Sequence, residues 1–335
     1  MSKAIQCSSS IFRHAGRFRR NCRFFSSLLP STHPFNRSSI EPSPYHGKTQ
    51  HVPISLLHHI RLQNEDHQIE LANTLRPYYE SQNPHLLRHL FASCDAIYFW
   101  SSLEYWRVAV GDDTDVEVEI GLSYNKGERV TMKFGDYLDY LSLCIESDGS
   151  KSNSIQQEHG QFGKQIDVAY LAQNELFSQV QNDIPIPQFC CDPNARHNLG
   201  KGMLYHTMLW MGPRHTVSPL HYDPLDNLLI QAVGWKRVLL FPPDCTTISR
   251  DAPDDASNVD FDGKLWHYAG VDGNQYNTSA VDIENPDYDR YPNFKHAPVP
   301  YECTLAPGDA LFIPKKWWHH VRSLDWSVSA NIWWR

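Results

Sequence analysis

The C-terminal half of the chain is a succession of short apolar runs separated by turn residues. From the stretch VAYLAQNELF (168–177) onward, these runs are interrupted repeatedly by Pro, Gly and Asp. Short apolar segments with such interruptions are typical of the strands of an all-β barrel or sandwich. The pattern therefore predicts a mainly β fold for residues 166–335.

Two stretches of this half carry more specific predictions. The segment DNLLIQAVGWKRVLLFPP (226–243) contains two apolar runs broken at Gly234, which predicts a β-hairpin. Near the C-terminus, Pro307, Gly308 and Asp309 predict a tight turn, and three more strand-like stretches follow it. A tight turn that leads into a buried strand is typical of small barrels.

The N-terminal half has a mixed pattern. Residues 54–95 place apolar side chains at roughly helical spacing, with interruptions at Pro77 and Pro84. The next two apolar segments, residues 96–110 and 115–124, have strand character. This part of the chain therefore predicts helices followed by strands.

A second helix and a loop complete the N-terminal half. The stretch DYLDYLSLCI (136–145) predicts a short helix, and residues 147–165 have the polar composition of a loop without a core pattern. We therefore expect residues 47–165 to form a helical and strand layer that packs on the C-terminal barrel.

Residues 1–46 have the composition of a targeting segment. The first 40 residues contain seven Lys and Arg, many Ser, and neither Asp nor Glu. Such an Arg-rich, Ser-rich and acid-poor composition is typical of mitochondrial transit peptides. The alternative is a disordered basic tail of a nuclear or cytoplasmic protein. We exclude this segment from the fold and expect a mitochondrial location.

The charge of the remainder bears on its partners. Residues 1–46 carry a net charge of +6, and subtracting it from the −8 of the whole chain leaves −14 for residues 47–335. An acidic body suits basic peptides better than a nucleic-acid backbone. No run approaches the roughly 20 apolar residues of a membrane helix, so no membrane partner is expected. The sequence predicts no particular oligomeric state.

The eight cysteines show no C-x-x-C spacing. Zinc sites built from cysteine pairs and the disulfide frameworks of small secreted domains both have regular spacings that this chain lacks. We therefore expect free thiols in a reducing compartment.

The candidate chemistry begins with His221 and Asp223, which share one face of a predicted strand. His319 and His320 lie much later in the chain, at the start of another predicted strand, where their side chains point to opposite faces. Two His and one carboxylate with open coordination positions form the facial triad of non-haem Fe(II) oxygenases. A jelly roll could bring such distant strands together, because its first and last strands are neighbours. One of the two consecutive His can be the ligand, and the other is then structural.

Several ordered motifs now identify a resemblance. The chain resembles the JmjC-domain 2-oxoglutarate oxygenases of the small hydroxylase branch. It is most similar to the JmjC arginyl hydroxylases once classed as lysine demethylases, and it also resembles the hypoxia-inducible-factor asparaginyl hydroxylase and the wybutosine tRNA hydroxylase. The motifs that carry the likeness are VAYLAQNELF, IPIPQFC, TVSPLHYDPLDNLLIQAVGWKRVLLFPP, VDIENPDYDRYPNF and PGDALFIPKKWWHHVRSLDWSVSANIWW.

This resemblance implies a fold, cofactors and site residues. The implied fold is a cupin-like double-stranded β-helix, or jelly roll, and the implied cofactors are Fe(II), the cosubstrate 2-oxoglutarate and O₂. The implied iron ligands are His221, Asp223 and His319, of which His319 is chosen because the family's ligand directly follows the aromatic pair. The residues implied to hold the cosubstrate or line its pocket are Lys236, Tyr170, Ser218, Asn227, Asn331 and Trp333.

The substrate is a separate question, on which several alternatives stay open. Residues 251–289 contain ten acidic residues and one Lys, and such an insertion could either recruit a basic peptide or form a solvated loop. The leading hypothesis is a hydroxylase of a basic protein or peptide. The alternatives are a tRNA-base hydroxylase, which the acidic body disfavours, a histone lysine demethylase, and a non-catalytic cupin-like binding module.

Overall fold

The computed structural model describes residue 45 and residues 47–121, 128–150, 168–243, 277–279 and 281–335. These residues belong to one compact unit of the chain, residues 44–335. The predicted targeting segment lies outside the described residues, except for Tyr45. Among the described residues, no helix is both long enough and apolar enough to cross a membrane.

The N-terminal region combines helices with short strands, as its mixed pattern predicts. Its elements are β1 (Gln50–His51), β2 (Ile54–Leu56), α1 (Glu65–Glu80), β3 (His85–Arg88), α2 (Asp95–Phe99), α3 (Leu103–Val110), β4 (Asp115–Ile120), β5 (Glu128–Lys133) and α4 (Phe134–Ser150). The side chain of Asn64 caps α1 by accepting a hydrogen bond from the backbone N–H of His67 at 3.2 Å. Pro77 lies inside α1 and does not end the helix.

The strand predicted for residues 96–110 is wrong, because this segment forms α2 and α3. Its aromatic content resembles that of a strand, yet Trp100 and Trp106 are fully buried and pack with ring centroids 5.0 Å apart. The indole N–H of Trp100 donates to the Asp183 carboxylate at 2.9 Å, and Ser102 caps α3. Tertiary packing therefore overrides the local preference. The strand β4 and the helix α4 agree with the prediction.

The C-terminal region is dominated by strands, as predicted. These are β6 (Ala169–Glu175), β7 (Leu204–Gly212), β8 (Val217–Tyr222), β9 (Asp226–Val233), β10 (Lys236–Phe241), β11 (Tyr301–Leu305), β12 (Ala310–Ile313), β13 (Trp318–Ser323) and β14 (Ser327–Trp334). A short helix, α5 (Gln188–Cys191), and two 3-10 turns at Ser178–Asp183 and Pro292–His296 interrupt them. The turn expected at residues 307–309 directly precedes β12.

The strands form two sheets that face each other across an apolar core. One sheet has the order β1-β11-β10-β13-β8, and the other has the order β2-β3-β12-β9-β14-β7-β6-β4-β5. Within the eight strands β7–β14, one sheet contains β7, β14, β9 and β12 and the other contains β8, β13, β10 and β11, which is the arrangement of a double-stranded β-helix. The predicted jelly roll is confirmed. The N-terminal strands extend both sheets at their edges.

The predicted hairpin over 226–243 is also wrong. The strands β9 and β10 lie in different sheets, so the chain crosses the barrel at Gly234 instead of folding back on itself. Gly234 has φ +69°, and a Cβ at this position would lie 2.0 Å from the backbone oxygen of Trp326. Periodicity showed two strands and a break, but it could not show that their hydrogen-bonding partners are different strands.

We predict that Gly234→Ala destabilises the fold by about 3 kcal/mol or more, because it combines left-handed strain with a backbone clash. Gly111→Ala is the matched control. Gly111 also has a positive φ of +95°, but a Cβ there would lie 3.9 Å from the nearest atom, which belongs to Thr114, so about 1–2 kcal/mol is expected from backbone strain alone. Denaturant unfolding of both variants measures the difference, and equal losses would contradict the crossing geometry.

Candidate metal centre

The pairing of β8 with β13 brings the distant histidines together. His221 lies directly opposite His319 in the antiparallel register, and their ring centroids are 4.1 Å apart. One ligand atom each from His221, Asp223 and His319 lie within 4.8 Å of one another, and no other such group occurs among the described residues. The two strands are the second and seventh of the barrel, and not its first and last strands as predicted.

Backbone carbonyls orient both histidine rings. Nδ1 of His221 lies 2.7 Å from the oxygen of Pro219, and Nδ1 of His319 lies 3.0 Å from the oxygen of Trp317. Because a carbonyl can only accept, these contacts assign the ring proton to Nδ1 and leave the lone pair on Nε2. Burial and the neighbouring His319 lower the pKa of His221 to about 4. A neutral imidazole with a free Nε2 is the form that binds a metal.

Asp223 follows the end of β8 and is held by two donors. Its Oδ2 accepts hydrogen bonds from the side-chain amide of Asn227 at 3.0 Å and from the indole N–H of Trp333 at 3.1 Å. The same oxygen lies 3.7 Å from Nε2 of His319. The backbone N–H of Lys316 donates to the carbonyl of Asp223 at 2.7 Å. Side chain and backbone are therefore both fixed, as the donor set for a divalent metal requires.

His320 lies on the other face of β13, as the alternation along the strand predicts. Its Nε2 is 3.8 Å from a carboxylate oxygen of Glu284. Burial lowers the pKa of His320 to about 3, assisted by the positive charge of Arg322. It does not line the cavity that contains His319, so the geometry favours His319 over His320 as the third ligand.

The three candidate ligands open onto one cavity. Eight of the nine site residues predicted from the sequence line it: His221, Asp223, His319, Lys236, Ser218, Asn227, Asn331 and Trp333. Sequence reasoning did not place four further lining residues in the site: Trp210, Leu229, Ile313 and Val321. Strand alternation was an available signal for two of them, because Leu229 and Val321 each follow a predicted site residue by two positions.

Lys236 provides a cationic group inside the barrel. Its side chain is 2% exposed, and burial lowers its pKa to about 7. Its Nζ donates to the hydroxyl of Tyr170 at 3.4 Å. Tyr170, the ninth predicted residue, is hydrogen-bonded to Ser218, and burial raises its pKa. An ammonium with two hydroxyls beside it is a suitable partner for a carboxylate.

Two asparagines connect the far side of the cavity with Asp223. The side-chain amide of Asn331 donates to Oδ1 of Asn227 at 2.7 Å, and Asn227 in turn donates to Asp223. Oδ1 of Asn331 is buried and has no hydrogen-bond partner among the described residues. A buried acceptor of this kind fits a cavity that receives a polar ligand.

Comparisons with known proteins identify a matching family and several similar relatives. Residues 72–335 match the family described as Cupin-like domain. The chain is 36% identical to Lysine-specific demethylase 8 of Danio rerio over 240 residues, which are 70% of this chain and 48% of the relative. It is 32% identical to Lysine-specific demethylase JMJ30 of Arabidopsis thaliana over 273 residues, 79% of this chain and 53% of the relative.

A third relative has a name that indicates a different role. The chain is 37% identical to tRNA wybutosine-synthesizing protein 5 of Gallus gallus over 115 residues, 34% of this chain and 29% of that protein. The chain thus spans about half the length of the first two relatives and a smaller share of the third.

We predict that Trp333→Phe weakens divalent-metal binding about tenfold, because Asp223 loses one of its two orienting donors. Titration with Co(II), followed by visible absorption, measures the affinity. Trp334→Phe is the control. It also removes one indole hydrogen bond, in which Trp334 donates to the carbonyl oxygen of Leu199 at 2.8 Å, but on the buried side of the same strand. Equal metal affinity in the two variants would show that Trp333 does not orient the ligand.

Proposed function

The chain belongs to the cupin-like JmjC family, and on that premise we propose that it is an Fe(II)- and 2-oxoglutarate-dependent oxygenase that hydroxylates a basic protein or peptide. The observation that carries the proposal is the convergence of two imidazoles and one carboxylate beside a buried lysine in one cavity. A metal-binding trio alone fits many functions, but the nearby cation adds a site for an anionic cosubstrate.

In this proposal His221, Asp223 and His319 hold Fe(II). The donor set fits, because two neutral imidazoles and one carboxylate are the facial ligands of non-haem iron and leave coordination positions open. Bound iron would supply the activation of O₂ for oxidation of a C–H bond. The protein's own part is to fix the rings through the carbonyls of Pro219 and Trp317.

Lys236, Tyr170 and Ser218 would bind the distal carboxylate of 2-oxoglutarate. The ammonium supplies charge, and the two hydroxyls supply directed hydrogen bonds. Asn227 and Trp333 donate to Asp223, and Asn331 donates to Asn227, so in this proposal they orient Asp223 and bound cosubstrate. Apolar Leu229, Ile313 and Val321 line the remaining wall and exclude water from it.

The proposed reaction is balanced with respect to atoms and electrons. Substrate C–H, 2-oxoglutarate and O₂ are converted to substrate C–OH, succinate and CO₂. One oxygen atom enters the substrate and the other enters succinate. The 2-oxoglutarate supplies two electrons as it loses its carboxyl group, so no separate reductant is needed.

The direct test is succinate formation from 2-oxoglutarate by protein loaded anaerobically with Fe(II) and then given O₂. Turnover without a known substrate suffices, because members of this class oxidise 2-oxoglutarate slowly by themselves. We expect His221→Ala to abolish succinate formation and Lys236→Ala to reduce it strongly at low 2-oxoglutarate. His296→Ala, which removes an exposed histidine, should behave like the parent.

Failure of the parent protein both to bind iron and to form succinate, even with cell extract added, would reject the oxygenase. The remaining interpretation would then be the non-catalytic cupin-like binding module. Retention of all three ligands and of Lys236 in one cavity argues against that alternative.

A buried carboxylate opposite Tyr170 supports the proposal of a basic substrate. Glu119 on β4 is paired directly with Tyr170 on β6, so both side chains occupy the same face of the sheet. Its Oε1 accepts from Arg129 at 2.8 Å, while Oε2 is buried without a hydrogen-bond partner among the described residues. Burial raises the pKa of Glu119 to about 7, although Arg129 opposes this shift. The acidic charge of residues 47–335 adds long-range attraction for a cation.

In this proposal the free Oε2 of Glu119 pairs with a cationic side chain of the substrate. We therefore predict that Glu119→Gln raises KM for basic peptides about tenfold, the loss expected when one charged hydrogen bond is removed. In the parent, KM should fall as the pH rises through about 7, because Glu119 gains its negative charge there. The variant should lack this pH dependence. Saturating 2-oxoglutarate keeps the titration of Lys236 out of the measurement.

Glu117→Gln is the matched control for this experiment. It removes the same charge two residues earlier on β4, at an exposed position, and should leave KM unchanged. Equal effects of the two variants would assign the preference for basic peptides to overall charge instead of to Glu119.

Two alternatives give different products. The demethylases among the relatives make demethylation of a methylated lysine a second candidate, and formaldehyde release from a methylated peptide would identify it. The wybutosine-synthesizing relative makes a tRNA base a third candidate. The net charge of −14 on residues 47–335 disfavours it. Stimulation of succinate formation by tRNA, and not by basic peptides, would favour it.

We further propose that residues 1–46 direct the protein to mitochondria, with residues 47–165 supporting the catalytic barrel of 166–335. The support for the location is the Arg-rich, acid-free composition of the first 40 residues.

A further inference from the structure

We infer that Glu284 is a positioning residue for the metal centre. From the outer face of the barrel, its side chain holds strand β13 and with it His319. The inference rests on the proposed function, since it takes His221 and His319 as metal ligands. It concerns a short part of the chain that we call the anchoring segment, residues 277–279 and 281–284, which contacts both ligand-bearing strands.

The anchoring segment first completes the edge of β8. This strand is the last of its sheet, so one side of its backbone has no strand partner. The N–H of Tyr222 donates to the oxygen of Asn277 at 3.0 Å, and the N–H of Ser279 donates to the oxygen of Leu220 at 2.7 Å. Thr278 forms a bridge pair with His221 itself. The first ligand is thereby fixed from both sides of its strand.

The second ligand lies next to an irregularity in the sheet. His319 pairs with His221, but Val321 pairs with Ser218, so the register shifts between the two pairs. Two residues of β8, Pro219 and Leu220, therefore oppose His320 alone, and Pro219 has no N–H to donate. The ladder between β8 and β13 is interrupted directly after the ligand, so β13 needs additional support at this point.

Glu284 provides that support. Its side chain is 9% exposed, and its carboxylate forms a two-point ion pair with Arg322, including a bond from Nε at 2.5 Å. Its Oε1 also lies 3.8 Å from Nε2 of His320. Strand alternation places His320 and Arg322 on the outer face, on either side of Val321, while His319 faces the cavity. The carboxylate thus contacts the outer face immediately after the ligand.

Apolar packing holds the anchoring segment in place independently of this ion pair. Val281 and Ile283 belong to a buried cluster with Leu220 of β8, Leu239 of β10 and Trp318 of β13. Loss of the Glu284 charge should therefore leave the segment on the sheet and alter only the local support of β13.

The same sheet contains a matched control pair. Arg237 on β10 lies directly opposite Arg322 in the strand register, and its Nε donates to Glu302 of β11 at 2.7 Å. This ion pair has the same chemistry on the same face of the sheet. However, Glu302 lies on β11, which pairs with β10 and β1 and not with a ligand strand. Strand β10 therefore separates its carboxylate from β13, and loss of the Glu302 charge should leave the metal ligands in place.

The experiment compares Glu284→Gln, Glu284→Asp and Glu302→Gln in the full-length chain, after removal of bound metal. Co(II) is the probe, with its dissociation constant and visible absorption spectrum as readouts and thermal unfolding followed by circular dichroism as the stability control. We expect Glu284→Gln to weaken Co(II) binding about tenfold and to change the spectrum. Glu284→Asp should recover part of the affinity, and Glu302→Gln should match the parent in both metal readouts.

The outcomes separate this inference from the proposed function. Parent-like affinity and spectrum in Glu284→Gln would overturn the positioning role alone. Failure of the parent to bind Co(II), or unchanged binding in His221→Ala, would overturn the proposed metal site, and the inference with it. If Glu284→Gln does not fold, Arg322→Lys replaces it, because a lysine keeps the charge but loses the two-point contact. Parent-like Co(II) binding in that variant would equally overturn the role.

Discussion

The antiparallel pairing of β8 with β13 is the contact on which the candidate site depends. It joins His221 to His319 across a large separation in the chain and places both rings on the inner face of the barrel. Asp223 then completes the trio because the chain leaves β8 directly after Tyr222. Every other feature of the site, from the asparagine relay to the buried lysine, is arranged around this strand pair.

The two consecutive histidines of β13 make the register of that strand decisive. A slip by one residue would turn His319 outward and bring His320 into the cavity, because side chains alternate between the faces of a sheet. The ladder with β10 opposes such a slip, since it pairs His319 with Leu240 and His320 with Leu239. Apolar packing of Leu239 and Trp318 on the outer face adds a second constraint. The position of a candidate metal ligand is therefore determined by hydrophobic contacts on the opposite side of the sheet.

The barrel separates its polar chemistry from its apolar core. Lys236, His221 and Asn331 are all nearly inaccessible to solvent, and burying such groups is costly unless they find partners. Carbonyl oxygens satisfy the histidines, and Asn227 connects Asn331 to Asp223. The apolar clusters between and outside the sheets supply the stability against which this polar cavity is maintained. Groups retained at such a cost are typical of binding and catalytic sites.

Much of the architecture could be predicted from local sequence, because alternation, turn residues and short apolar runs are properties of neighbouring residues. The strand-rich C-terminal half, the turn at 307–309, the helix α4 and the opposite orientation of His319 and His320 follow from such patterns. The resemblance of ordered motifs to the JmjC family added the candidate ligands and the residues around them. Eight of these line one cavity, and Tyr170 contacts it through Lys236.

Strand partners and tertiary packing could not be predicted in the same way. The two runs around Gly234 belong to different sheets, and the aromatic segment 96–110 is helical because Trp100 and Trp106 are buried against other elements. The contacts of Glu119 with Tyr170 and of Glu284 with Arg322 likewise join residues far apart in the chain. Local preferences in the sequence were enough to predict most of the extended segments and turns, and the resemblance of its motifs to a family indicated which residues carry chemistry. Only the tertiary structure decided which segments meet, because hydrogen-bond pairing and burial depend on the whole chain.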